Sequence, residues 1–143
     1  MGANFLGQAN PRYPFAPCKW PHGSEGAFAL NGNHEMYARG YGYFDHILPK
    51  LGLRGDPRGQ RASYFCLEND HWRILALDTS YNSVGAPIVE HFLQPDCSLP
   101  AELVEWLRMV VKLRPDDSRG VVILTIINTS RASIIAIRGR RNN

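Results

Sequence analysis

Apolar positions recur along this chain with two different periods, and the change of period marks its elements. Ser63-Tyr64-Phe65-Cys66-Leu67 and Trp72-Arg73-Ile74-Leu75-Ala76-Leu77 are short aromatic and aliphatic runs separated by Asn69-Asp70. Runs of this length with turn-forming residues between them predict two strands joined by a tight hairpin. Asp78-Thr79-Ser80 closes the second run with side chains that bond readily to their own backbone. From Leu99 to Leu113 the period lengthens. Leu99, Leu103, Trp106, Leu107, Val110 and Leu113 return every three or four residues, which predicts an amphipathic helix. Ser98 is its candidate N-cap, Pro100 is tolerated in the first turn, and Pro115 stops it. Gly120-Val121-Val122-Ile123-Leu124-Thr125 then reads as a buried strand. Strand, helix and strand in that order place the fold in the α/β class with a layered sheet.

Upstream of the hairpin the pattern is more broken. Residues 1–26 are rich in Pro and Gly and read as an irregular leader. Ala27–Leu30 is a short apolar strand that delivers the chain to Gly32-Asn33-His34-Glu35. Tyr37–Tyr43 suits a loop, Asp45–Leu51 a short helical turn interrupted by Pro49, and Leu53–Gln60 a second loop. Residues 81–98 read as a long surface loop, and Trp72 and Trp106 as core. The division is a leader over 1–26, a domain over 27–125 and an off-pattern basic tail over 126–143.

Composition narrows the class. With 143 residues, 44% hydrophobic and 20% charged, the chain has material for one globular core. It holds no run of 18 apolar residues, so no membrane-spanning helix is expected. Met1–Leu6 lacks the basic start of a signal peptide, which makes the expected location cytoplasmic. Cys18, Cys66 and Cys97 are too far apart for a Cys-rich zinc site and read as reduced thiols. After Gly120 there are four arginines and no acid, one charge more than the whole-chain net of +3. The body is therefore slightly acidic, and only the tail is basic.

The candidate chemistry lies in Asn33-His34-Glu35. An amide oxygen, an imidazole and a carboxylate follow one another on a Gly turn at the end of a strand. Open α/β sheets bind ligands at the carboxyl ends of their strands. A two-metal hydrolytic site uses such oxygen and nitrogen donors to hold cations roughly 3.5–4 Å apart. On its own the tetrapeptide also fits a plain solvated turn.

The wider context resembles the calcineurin-like metallophosphoesterase family. The resemblance runs through Ala-Leu-Asn-Gly-Asn-His-Glu-Met-Tyr (29–37), Gly-Tyr-Gly-Tyr-Phe-Asp (40–45) and Ser-Tyr-Phe-Cys-Leu (63–67). It continues through His-Trp-Arg-Ile-Leu-Ala-Leu-Asp-Thr-Ser-Tyr (71–81) and Glu-Trp-Leu (105–107). It implies a four-layer α/β/β/α sandwich of sheets flanked by helices, hydrolysis of phosphate esters, and a centre of two divalent metal ions, whether Mn, Fe, Zn or Mg. By that resemblance Asn33 is a metal ligand, and His34 contacts the phosphate or protonates the leaving group as a catalytic residue. Asp78 either faces that site or caps its own turn. His22, His46 and His91 are expected in solvent, and His71 has a structural place at the hairpin.

Only the third of the family's five signature parts is present. No Asp-x-His precedes Asn33, Gly55-Asp56 follows rather than precedes it, and no histidine follows His91. Where the family's strand runs into Thr-His-His-Gln, this chain reads Thr125-Ile126-Ile127-Asn128-Thr129. Among the permitted codons, ACC-ATC-ATC-AAT-AC encodes that stretch, and with that choice one added C gives ACC-CAT-CAT-CAA-TAC, or Thr-His-His-Gln-Tyr. The expectation is that residues from about Ile126 onward are read out of frame. The alternative is a divergent Ile-rich strand, since Ser133–Ile137 is also apolar.

Three functions compete. The first is a metal-dependent phosphoesterase of which this chain is a central fragment, inactive alone and not expected to bind both cations in full. The second is a non-catalytic remnant or a module that needs a partner. The third is a weak nucleic-acid binder acting through the tail. Without basic and aromatic residues interleaved, nucleic acid is the least expected partner, and a phosphate ester the most expected.

Overall fold

The computed structural model describes residues 22–83, 98–127 and 131–137. Two short strands, β1 (Gly26–Ala27) and β2 (Gly52–Leu53), pair antiparallel. The main sheet has the order β3 (Phe65–Glu68), β4 (Trp72–Leu77), β5 (Gly120–Ile127) and β6 (Arg131–Ile137). Strands β4 and β5 run parallel, while the outer pairs are antiparallel. Helical segments mixed with this sheet make the chain α/β. They are α1 (Asn33–Met36), α2 (Gly42–Ile47, a wide π-type turn running into a 3-10 turn at Leu48–Lys50) and α3 (Ala101–Trp106). Among the described residues no helix is long and apolar enough to cross a membrane.

The hairpin forms where the sequence places it. The Asn69 side chain accepts the backbone N–H of His71 at 2.9 Å and of Trp72 at 2.8 Å. This sets the register Phe65↔Ala76 to Glu68↔Arg73, and β4 keeps its expected limits of Trp72–Leu77. Trp72 is not core, being 45% exposed. It lies across Gly120 instead, where any side chain would collide with the indole ring.

Helix α3 differs from its sequence reading at both ends. Its cap is Pro100, with extended backbone at ψ 146, rather than Ser98. After Trp106 the chain winds as a π-type turn over Leu107–Val111 and ends at Lys112, left-handed at φ 50. A π turn advances less angle per residue than an α turn. Val111 therefore swings onto the buried side below Leu103, at 8% and 0% exposure, and Val110 is turned out at 66%. Leu113, past the stop, is exposed as well.

Of the expected strand over Ala27–Leu30 only Ala27 lies in a strand, β1. The reason lies in Gln60. Its carboxamide accepts from Ala29 N at 2.9 Å and donates to Ala29 O at 2.8 Å, so one side chain satisfies both backbone groups as a neighbouring strand would. Tyr43 Oη also donates to Ala29 O, at 2.8 Å. The core beneath is Ala27, Tyr43, Ile47, Leu48 and Leu51, with Ala29 and Phe44 at its margin. Residues 131–137, for which the sequence left open an off-pattern tail or a divergent Ile-rich strand, form strand β6, paired with β5 from Ile127↔Arg131 to Val121↔Ile137. The leader up to residue 21, the loop over 84–97 with His91 and Cys97, and Arg138–Arg141 lie outside the described residues.

At the amino end of β4 and β5, Arg73 is 5% exposed and inside an ion-pair network. Its Nε stands 3.0 Å from Glu68, its Nη2 3.3 Å from Asp117, and its Nη1 donates to Val111 O at 3.1 Å. Arg119 pairs with the same two acids, at 2.7 Å from Asp117 and 3.2 Å from Glu68. These contacts fasten the end of the helical segment to the sheet.

Candidate functional site

The Asn31–Glu35 turn sits at the carboxyl ends of the two parallel strands. Two contacts place it there. Asn31 Nδ2 donates to Asp78 Oδ2 at 3.5 Å, just past the end of β4. A Cβ built on Gly32 would lie 3.9 Å from Ile126 Cδ1, at the end of β5. Thr79 closes the triangle by donating its hydroxyl to Ile126 O.

Locally the turn holds itself. Glu35 Oε2 accepts the Gly32 N–H at 3.1 Å, satisfying one donor at the start of α1 and occupying that carboxylate. The opposite end of the turn needs left-handed backbone, supplied by Arg39 at φ 54 and Gly40 at φ 71. Gly40 also lies where a side chain would strike the Phe44 ring. Asn33 is buried at 7% exposure. His34 is exposed, with its ring 4.8 Å from that of Tyr37.

Asp78 does both things the sequence left open. It is 1% exposed, caps its own turn by accepting Ser80 N–H at 3.0 Å, and reaches across to Asn31. Ser63 and the Tyr81 backbone also donate to it. Burial nevertheless pushes its carboxyl above the ordinary range, outweighing these bonds. The same acid, after burial itself, keeps the Tyr43 hydroxyl protonated far above its usual range. Asn31 Oδ1 and Ser80 Oγ are buried without a hydrogen-bond partner among the described residues. Sequence reasoning passed over Asn31, whose only advance signal is its place one residue before the Gly turn.

The other expectations fall as follows. His22, His46 and His71 are exposed. Cys66 is half-buried, and desolvation pushes its thiol up. Trp106 is half-buried, 5.0 Å from the Tyr64 ring. Among the described residues, no three His, Cys, Asp or Glu stand together.

This donor set does not fit a pair of divalent cations. Among the described residues, Asn31 and Asn33 offer neutral amides, the Glu35 carboxylate accepts the Gly32 N–H, and the Asp78 carboxylate already accepts four hydrogen bonds. Three protein ligands per metal are the usual minimum. Comparison with protein-family models, curated proteins and solved structures finds no match to this chain.

Proposed function

We propose that this chain is the central part of a calcineurin-like, metal-dependent phosphoesterase domain, with phosphate esters as substrate class and a four-layer α/β/β/α sandwich as its complete fold. The observation that supports it best is positional. The Gly32-Asn33-His34-Glu35 turn meets the ends of β4 and β5, and residue 126 lies beside Gly32. That is the position at which the single-base reading restores the first histidine of Thr-His-His-Gln. In the complete domain Asn33 would supply an amide oxygen to one cation, while His34, exposed at the surface, would face the phosphate or its leaving group. Divalent ions there would polarise the phosphoryl group and activate water.

The polypeptide as it stands is a partial site. Its donor set supports a non-catalytic product or a module completed by missing segments, rather than a working enzyme. The test is hydrolysis of p-nitrophenyl phosphate by the purified chain with Mn²⁺, beside its Asn33→Ala variant. The expected result is no turnover above buffer for either. Mn²⁺-dependent hydrolysis that disappears with Asn33→Ala would show a complete site and overturn the partial-site reading.

A further inference from the structure

Asn31-Gly32 is the single Asn-Gly pair in the chain. In such a pair the glycine nitrogen and the asparagine Cγ are already linked through the backbone, so a bond between them closes a five-membered ring. Glycine has no side chain to obstruct that closure. Both the nitrogen and the amide of this pair are prepared for it.

The nitrogen has a base upon it. Gly32 N–H donates to Glu35 Oε2 at 3.1 Å. An N–H bond lies in the peptide plane, so a proton removed along it leaves the lone pair above the plane able to attack. The carboxylate comes this close because residue 32 is glycine, where a Cβ would lie 2.5 Å from Oε2. The amide under attack is loosely held. Asn31 is fully buried, yet among the described residues its Oδ1 has no partner and its Nδ2 has one, Asp78 Oδ2 at 3.5 Å. That length is the outer limit of a hydrogen bond, for a group with two N–H donors and an acceptor oxygen. Gly32 and Glu35 are half-buried, which leaves an approach for water.

We propose that Asn31-Gly32 is a self-modification site at which the folded turn closes a succinimide, with Glu35 as the base. The Gly32 N–H bond breaks and its proton passes to Glu35 Oε2, while the nitrogen bonds to Asn31 Cγ. The Cγ–Nδ2 bond then breaks, and Nδ2 leaves as ammonia with the proton that Gly32 gave up. Nothing is oxidised or reduced. Water opens the ring at either carbonyl, leaving aspartate or isoaspartate in place of Asn31. Ring closure removes two ties of the turn together, the Nδ2 donor to Asp78 and the N–H donor to Glu35. The modification therefore unfastens the Asn33 turn from the end of β4. It does not depend on the phosphoesterase reading.

The test ages three samples at neutral pH: the folded full chain, the full chain in urea, and the peptide Ala-Leu-Asn-Gly-Asn-His-Glu. Intact mass and peptide mapping should show loss of one ammonia at Asn31, followed by aspartate and isoaspartate. A positioned base contributes about 10²–10⁴ in rate, so the folded chain should react at least tenfold faster than the peptide or the unfolded chain, where Glu35 is not held. Glu35→Gln keeps an acceptor oxygen for Gly32 but takes no proton. It should slow the folded chain by a similar factor and leave the peptide's rate unchanged. In ¹H–¹⁵N spectra the Gly32 amide signal should disappear in step with the mass loss, because the ring nitrogen carries no proton. A folded chain that reacts no faster than the peptide would overturn the proposal. So would a folded Glu35→Gln chain that reacts as fast as the native one, or aspartate without isoaspartate, the mark of direct hydrolysis. If Glu35→Gln does not fold, the comparison of folded chain with peptide decides alone.

Discussion

Asp78→Asn separates hydrogen bonding from charge at the point where the Asn33 turn is tied to the sheet. The carboxylate accepts from Asn31, Ser63 and the backbone of Ser80 and Tyr81. A carboxamide of nearly the same shape has one acceptor oxygen, able to take two of these four donors. Two donors then face an NH₂ group, at about 1–3 kcal/mol each. Against this, the neutral amide escapes the burial cost of an ionised group, which is the largest influence on Asp78. The lost pairs should win, leaving a net destabilisation of about 2 kcal/mol at pH 7, or roughly 5–10 °C in Tm for a chain of this size. The pH dependence carries the second half of the prediction. Because burial raises the folded carboxyl above its unfolded value, the folded state holds the proton over the interval between them. Stability from this group is therefore greatest below the unfolded value and is lost as pH rises through the raised one. Asn has no such slope, so the gap between the native chain and the variant should widen toward acid. Urea unfolding at several pH values from 4 to 8 reads both quantities. Equal stability at pH 7, or a gap that narrows toward acid, would refute the reasoning.

Arg73→Ala should cost about 1–3 kcal/mol in urea unfolding, less than a fully buried pair, because Arg119 still neutralises Glu68 and Asp117. An unchanged midpoint would show that the network does not hold the helix end. In the frame-restored, complete protein, Asn33→Ala should lower metal affinity and rate together by roughly 10–100-fold or more. There His34→Ala should cost about 10²–10⁴ in rate, keep the metal, and hurt nitrophenyl esters least, because good leaving groups need little protonation. Loss of metal on His34→Ala, or equal losses on good and poor leaving groups, would contradict the acid role.

What the sequence made legible was local. Asn69 beside a β-branched and aliphatic run gave the hairpin and the limits of β4, since turn chemistry and strand pattern agree there. The α3 helix was visible from its spacing, but the face was misread because a π turn at Leu107–Val111 exchanges Val110 for Val111. No periodicity announces such a turn. Gln60 was hidden for a similar reason. A side chain standing in for a strand, 31 residues from Ala29, leaves no pattern near either residue. At the candidate site, Asn33 and His34 were readable from the adjacency of donor types. The Asn31–Asp78 tie joins positions 47 residues apart, so only the fold reveals it.

The most direct measurement is the nucleotide sequence of the locus on both sides of codon 125. The expected result is that one restored base after the Thr125 codon opens a frame reading Thr-His-His-Gln and then Gly-His-x-His, with Asp-x-His and Gly-Asp encoded upstream of Asn33. An uninterrupted downstream frame through Ile126 and Ile127, with no Gly-His-x-His in any frame, would contradict the reading of this chain as part of a phosphoesterase.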